Sequence, residues 1–344
     1  MKKTIDLICI SASAFAVFAL SFFSKEAKAG AIDGIKLFLQ IILPALLCTL
    51  IIFSTAAQSR CADAIQAVFG GAVSKILRLP RACAPAVIFG AAGGYPCGAV
   101  LTRDLFLSGE IDESEARRIM LFNVNGGIAF TVSAVGTFTL QSTKSGVILW
   151  VSQIIASFIT ALICSFFSKK RSVDFGTLEK RKSFSQAFCS AVESSVKSTL
   201  TIGAYIIFFS SLFGIFKVFI NLDEKILPLF EITSGICCKN NLSLPEISFF
   251  LAFSGICIQL QLLGLTQPFN MSFFEIFASR LANAALSGAV CRIICLLFPT
   301  AAPTFSNVGS VSFQFASANA FFSVLLIAGC FVLITDLDAK RKMQ

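Results

Sequence analysis

An uncharged run from Ala82 to Thr102 constrains the fold more than any other part of the chain. The run is long enough to enter a bilayer, but its centre, Phe89-Gly90-Ala91-Ala92-Gly93-Gly94-Tyr95-Pro96-Cys97-Gly98, holds four glycines and a proline. These residues break helices, because glycine is conformationally free and proline lacks an N–H donor. In hydrocarbon, an irregular backbone survives only where it is buried in protein or lines a water-filled cavity. The stretch is therefore a candidate site.

Composition indicates a polytopic membrane protein. Of the 344 residues, 56% are hydrophobic and 14% are charged, whereas soluble domains carry about 25% charged residues. The net charge of +9 comes from basic residues that cluster between apolar runs, as they do in cytoplasmic loops. We therefore expect the lipid bilayer as a partner and no nucleic acid.

The residue types that are missing or scattered argue against an enzyme. The chain contains no histidine, the residue that most often serves as a general base and as a metal ligand. The 13 cysteines mostly stand singly in apolar runs and form no CxxC pair, as expected of small buried hydrophobes. The sequence predicts no catalytic residue, no metal site and no cofactor other than a coupling cation or proton.

Apolar runs and charged segments divide the chain into five parts. The parts are an N-terminal membrane helix at 1–30, a first repeat at 31–168 with a re-entrant hairpin at 82–107, a basic cytoplasmic loop at 169–197, a second repeat at 198–298 with a re-entrant segment at 226–245, and a connector, last transmembrane helix and basic tail at 299–344. The N-terminal run from Ile5 to Phe23 is either a retained helix or a signal peptide removed near Ala27-Lys28-Ala29.

The basic clusters predict the orientation. Positive residues favour the cytoplasmic side, which puts Arg60 to Arg81, the arm from Arg103 to Arg118, the loop at 169–182 and the tail Lys340-Arg341-Lys342 inside. Both termini are then cytoplasmic, with the N-terminus outside if a signal peptide is cleaved. Because the segments that flank the Gly-Tyr-Pro stretch are both inside, that stretch enters and leaves the membrane on one side.

The two halves share a pattern of spacings. The matching positions are Phe89, Gly94 and Cys97 with Phe230, Gly235 and Cys238, and Gly127-Ile128 and Gly136 with Gly255-Ile256 and Gly264. The charge pattern gives the halves opposite orientations, which is the inverted-repeat design of secondary transporters. The predicted fold is an all-α polytopic membrane protein with about eight transmembrane helices and two re-entrant hairpins.

Candidate substrate-binding residues surround the hairpin tips and the glycine breaks that follow them. They are Gly93, Gly94, Tyr95, Pro96, Cys97, Gly98, Asn123, Asn125, Gly126, Glu231, Thr233, Ser234, Gly235, Ser254, Gln259, Gln261 and Arg292. The amides either line the site or join helices. Glu231 either meets substrate, cation or proton, or it caps a half-helix or pairs with Arg292. Arg280 and Arg292 are the only basic residues inside an apolar span, where a guanidinium either binds an anionic dicarboxylate or has a structural role. For Arg280 we expect the structural role, with the side chain reaching the cytoplasmic surface.

A family resemblance rests on three stretches. At Gly93-Gly94-Tyr95-Pro96-Cys97-Gly98-Ala99, Glu231-Ile232-Thr233-Ser234-Gly235 and Gly255-Ile256-Cys257-Ile258-Gln259, the sequence resembles the sporulation integral membrane protein family (YlbJ-like) of the nucleoside-recognition (Gate) superfamily. The likeness covers roughly Leu37 to Phe298, and the family is similar in architecture to concentrative nucleoside transporters. The chain departs from the family pattern at Cys97, where a small polar residue is common, and at Ser234, where asparagine is common.

The resemblance implies a function. It implies a membrane transporter that moves dipicolinic acid across a forespore membrane of a bacterium by alternating access between two inverted repeats, with a homo-oligomer or sporulation membrane proteins as partners. Two alternatives stay open: a nucleoside transporter of the same superfamily, and a non-transporting membrane component of a sporulation assembly. Since no Walker motif is present, the drive must come from a gradient or a partner.

Overall fold

The structure, a computed structural model, describes residues 10, 11, 14, 17–168, 182–219, 227–230, 232, 236 and 242–298. These residues contain helices and connecting segments and no β-strand. The main helices from Ser24 onward are α1 (Ser24–Leu37), α2 (Leu43–Gln58), α3 (Cys61–Ile76), α4 (Ala84–Gly93), α5 (Tyr95–Leu107), α6 (Glu113–Phe122), α7 (Thr143–Phe166), α8 (Phe184–Phe219), α9 (Leu244–Phe253), α10 (Gly255–Thr266) and α11 (Phe273–Leu297). A π-helical segment, Ala129–Thr139, lies between α6 and α7.

Several predictions concern residues outside the described ranges. They are the site predictions for Glu231, Thr233, Ser234 and Gly235, the cysteine pair at 237–238, most of the basic loop, and the last helix with its basic tail.

Hydropathy identifies the helices that can cross a bilayer, which takes about 20 apolar residues. Among the described residues, four stretches qualify: Thr143–Phe166, Phe184–Val218, Leu244–Phe269 and Phe273–Leu297. A fifth is reached if α3 and the segment Arg81–Gly93, which are bent by 114° relative to each other, count as one span. An all-helical membrane protein is thus confirmed, while the count of eight spans and the inverted repeat remain predictions.

Sequence signals mark where two of the helices begin. At the start of α6, the Asp112 carboxylate accepts a hydrogen bond from Glu115 N at 2.8 Å, and the Glu115 carboxylate accepts one from Asp112 N at 2.9 Å. Ser272 and Glu275 form the same reciprocal arrangement at the start of α11. Such a capping box satisfies backbone donors that a helix leaves unpaired in its first turn.

One end of the molecule gathers basic groups from separate segments. The Arg78 guanidinium donates to Ser168 O at 3.1 Å, and Arg118 donates to Ser168 Oγ and to Arg78 O. Partial burial lowers the pKa of the Arg118 guanidinium, with nearby Glu115 acting against that effect. The residues that follow α3 and α7, Arg78 and Ser168, therefore meet the Arg118 side chain of α6 at one face, which we call the basic face.

Candidate functional site

The first break in the helices lies at Gly94, between α4 and α5. Its φ of +96° is a conformation that side-chain-bearing residues rarely adopt. An ideal Cβ at Gly94 would stand 2.5 Å from Gly127 N and 2.8 Å from Gly127 Cα. Glycine is therefore required here for two reasons: the backbone turns left-handed, and a second chain segment passes directly against it.

The second break lies between α9 and α10. Ser254 and Gly255 have φ values of 67° and 69°, so two consecutive residues are left-handed. An ideal Cβ on Gly255 would stand 3.0 Å from Phe230 O and 3.3 Å from Ile232 N. In each half one glycine, Gly127 or Gly255, thus packs against the backbone of an earlier segment of the same half: Gly127 against Gly93, and Gly255 against Phe230 and Ile232.

A cavity of about 80 Å³, here called the inner cavity, lies beside the first break and the first turns of α10. Its lining includes Gly93, Gly94, Tyr95 and Gly127 from the first half, together with Ile232, Cys257, Ile258 and Gln261 from the second half and apolar residues of α2 and α8. Tyr95 Oη donates to Leu251 O on α9, and the Tyr95 ring packs edge-on against Phe130 at 6.3 Å. A single tyrosine therefore ties the first break to the second half.

A larger cavity of about 460 Å³, here called the outer cavity, adjoins the inner one. The two share Tyr95, Ile202, Ile258 and Gln261. The outer cavity is polar: a stripe of α8 contributes Ser190, Glu193, Ser194, Lys197, Ser198, Thr201 and Tyr205, and α5 contributes Arg103. Its volume lies in the range of about 300–1,000 Å³ that is typical of small-molecule sites.

The predicted asparagines and Gly126 hold the first break in shape. Asn123 is buried, donates from Nδ2 to Ala86 O at 2.8 Å, and fills the space that Gly90 and Gly98 leave. Asn125 Oδ1 accepts a hydrogen bond from Ser157 Oγ at 2.6 Å. Gly126 N donates to Gln153 Oε1 at 2.8 Å. These groups form their hydrogen bonds with other groups of the protein, so they support the cavity wall rather than line it.

The amides of the second half behave differently from each other. Gln261 lines both cavities, and its Nε2 lies 3.5 Å from Cys257 Sγ. Gln259 is fully buried; its Nε2 donates to Phe253 O at 3.0 Å, and its Oε1 has no hydrogen-bond partner. Ser254 Oγ donates to Phe253 O at 2.6 Å. Gln259 and Ser254 thus hydrogen-bond to the backbone at the second break, whereas Gln261 faces the cavities.

The two arginines of α11 lie in different environments. The expectation that Arg280 reaches the cytoplasmic surface is wrong: its exposed fraction is 0%, and it donates to Val124 O and to Leu121 O. The physical reason is periodicity, because Ile276, Arg280, Asn283, Ala284, Ser287 and Cys291 share the buried face of α11. Arg292 is one residue beyond that face and is exposed, so the structure does not bring it to either cavity.

The structure brings together part of the predicted site. Gly93, Gly94, Tyr95 and Gln261 line the inner cavity, whereas Cys97, Gly98, Asn123, Asn125, Gly126, Ser254 and Gln259 are buried around it, and Pro96 lies in the first turn of α5.

Sequence reasoning missed Gly127 and Cys257 in the lining and Gln153 behind it. Gln153 carried a usable signal, since it is an amide in an otherwise apolar helix. Among the described residues, no group of three or more cysteine or acidic side chains lies close enough to hold a metal ion.

The long apolar helices and the buried breaks define an all-helical membrane protein. Over 269 residues, the chain is 25% identical to the sporulation integral membrane protein YlbJ of Bacillus subtilis (strain 168), in a match that covers 64% of this chain and 65% of that protein. The match thus spans less than two thirds of the relative's length. It supports the resemblance to the YlbJ-like family and, with the apolar helices, a multi-pass membrane location. No family model matches the chain, and no solved structure matches it.

Proposed function

We propose that the protein is a secondary transporter of a small polar or anionic metabolite, working by alternating access between two inverted repeats in a bacterial membrane. The observation that carries this proposal is the inner cavity, which is lined by Gly94 at the first break and by Cys257, Ile258 and Gln261 of α10, the helix that follows the second break. Broken helices that meet at a shared cavity are how secondary transporters expose polar groups within the bilayer. The polar outer cavity supplies a route by which a solute reaches that site.

The finer assignments follow from the resemblance. The relative's name links it to sporulation, and we propose dipicolinic acid as the substrate and a forespore membrane as the location. The termini are cytoplasmic in this proposal, and a cation or proton gradient drives transport. No catalytic step is assigned to any residue, and the partners are the substrate, the bilayer and either a second copy or other sporulation membrane proteins.

The test is a flux assay with the full-length protein in liposomes. Labelled pyridine-2,6-dicarboxylate (dipicolinate) and uridine are offered in turn under imposed proton or sodium gradients. We expect saturable, gradient-dependent flux of the dicarboxylate; flux of uridine alone would favour the nucleoside alternative. No flux of any solute under either gradient would contradict the transporter and favour the non-transporting component.

Gln261 offers a site-specific arm of this assay. Gln261→Leu removes an amide from the boundary between the two cavities, and the loss of about 1 kcal/mol for one hydrogen bond predicts a roughly fivefold or larger rise in KM. Gln267→Leu is the matched control, because Gln267 is exposed and lines neither cavity. Equal effects of the two substitutions would remove Gln261 from the site.

A further inference from the structure

Arg280 is a buried charge to which the transport proposal assigns no role. Among the side chains that the structure describes as buried, two are charged: Glu115 and Arg280. Glu115 lies in the first turn of α6, where it closes the capping box with Asp112. Arg280 lies at the other end of the same helix, beside the residues at which α6 ends. A buried charge inside a membrane helix is costly and usually serves function.

No carboxylate of the described residues forms an ion pair with Arg280. The acid nearest to it along α11 is Glu275, which pairs with Arg117. The Arg280 Nη atoms donate to the carbonyls of Leu121 and Val124, and its Nε has no partner. Carbonyls at a helix C-terminus stabilise a cation through their dipoles. Since dipoles carry no net charge, the positive charge of Arg280 remains uncompensated among these residues.

This charge lies close to the inner cavity. Val124, which accepts a hydrogen bond from Arg280, precedes the cavity residue Gly127 by three positions, a stretch of at most about 11 Å. None of the residues that line the inner cavity is charged, so no lining group offsets the field of the guanidinium.

We propose that Arg280 determines the charge specificity of the inner cavity, acting through space as a positioning charge that favours small organic anions over neutral solutes of the same shape. The inference rests on the proposed function and assigns its substrate preference to one residue. For each unit of negative charge held about 10 Å away at an effective dielectric constant of about 20, the preference is on the order of tenfold in affinity.

The experiment compares two ligands that differ in charge and share a shape. Pyridine-2,6-dicarboxylate and the neutral pyridine-2,6-dicarboxamide are titrated into the full-length protein in detergent, and the ratio of their Kd values is measured. The wild type should prefer the dicarboxylate by about tenfold or more. Arg280→Gln should lose most of that preference, and Arg280→Lys should keep most of it because the charge is retained.

Asn283→Ala is the matched control. Asn283 also donates to Leu121 O, at 2.8 Å, so its loss loosens the same contact between α6 and α11 without changing charge. A structural role of Arg280 alone would weaken binding of both ligands equally in Arg280→Gln, as in Asn283→Ala, and an unchanged ratio would overturn the inference. Should Arg280→Gln fail to fold, equal affinities for the two ligands in the wild type, or no binding of either, would overturn it as well.

The failure of this inference can be told from failure of the transport proposal. Equal affinities with gradient-driven flux intact would leave a transporter whose charge selection does not come from Arg280. An anion preference that depends on Arg280, in a protein without flux for any solute, would keep the binding inference and reject transport.

Discussion

At the scale of single residues, the first break requires glycines, because other chain segments pass very close to its backbone. Gly93 and Gly94 stand against Gly127, and Gly90 and Gly98 stand against the Asn123 side chain. Each of these glycines leaves room that another segment fills, and Gly93, Gly94 and Gly127 bring backbone to one side of the inner cavity, whose other lining residues are mostly apolar. Irregular backbone at bilayer depth is tolerated only where it is buried in protein or lines a cavity, and both conditions hold at this break.

Gly94→Ala should destabilise the protein by about 1–3 kcal/mol, because alanine is strained at positive φ and its Cβ would collide with Gly127. Gly71→Ala is the control: Gly71 lies within α3 with open space around it, so alanine should be neutral or stabilise by up to about 1 kcal/mol. Thermal unfolding in detergent measures both. Equal stability of the two variants would mean that the left-handed turn at Gly94 is not needed.

Sequence reasoning reached some of these residues and not others, for identifiable reasons. The glycines and Tyr95 were predictable because an uncharged run with a helix break must hide its backbone. Arg280 was assigned the wrong environment because it was judged by its charge alone. The 3.6-residue period that Arg280 shares with Asn283 and Ser287 would have placed Arg280 on the buried face.

At the scale of helices, α1 and α8 form a pair that composition alone did not predict. An ideal Cβ on Gly30 or Gly34 of α1 would collide with Ser210 of α8, and one on Gly214 of α8 would collide with Glu26 O. Ser211 Oγ also donates to Ala27 O at 3.0 Å. Small residues that let backbones approach closely are the usual means of helix association in membranes.

Gly30→Leu should therefore separate α1 from α8, at a cost of about 1–3 kcal/mol for the overpacked contact. The expected signature is faster hydrogen–deuterium exchange of the α1 amides with little change in α11. Gly71→Leu adds the same side chain where space is open and should leave exchange in α1 unchanged. Protection of α1 that survives Gly30→Leu would show that the close approach is dispensable.

At the scale of the whole molecule, the charge pattern of the sequence and the contacts in the structure both indicate the basic face. The charge pattern predicted that Arg60 to Arg81, Arg103 to Arg118 and the loop after α7 share one side. The structure brings Arg78, Arg118 and Ser168 into direct contact, and Lys182 Nζ donates to Gln58 Oε1 at 3.0 Å. The number of transmembrane spans was harder to predict from the sequence than this face, because short, bent and broken helices such as α4 and α5 have the composition of spans.

This arrangement makes the orientation in the membrane testable. α7 has 24 residues and is about 36 Å long, so its start and end lie on opposite sides of a bilayer. The turn at Gly109 belongs to the end where Glu110 and Lys182 line a common cavity, and the exposed turn at Gln141 precedes α7 at the other end. The protein is produced in the cell membrane of a non-sporulating bacterium, and a site-specific protease is added to intact protoplasts. If the basic face is cytoplasmic, the protease should cut a recognition sequence inserted at Gln141 and spare one inserted at Gly109. After lysis it should cut both. The reverse pattern in intact cells would invert the topology and put the outer cavity, which Arg103 and Lys197 line, on the external side.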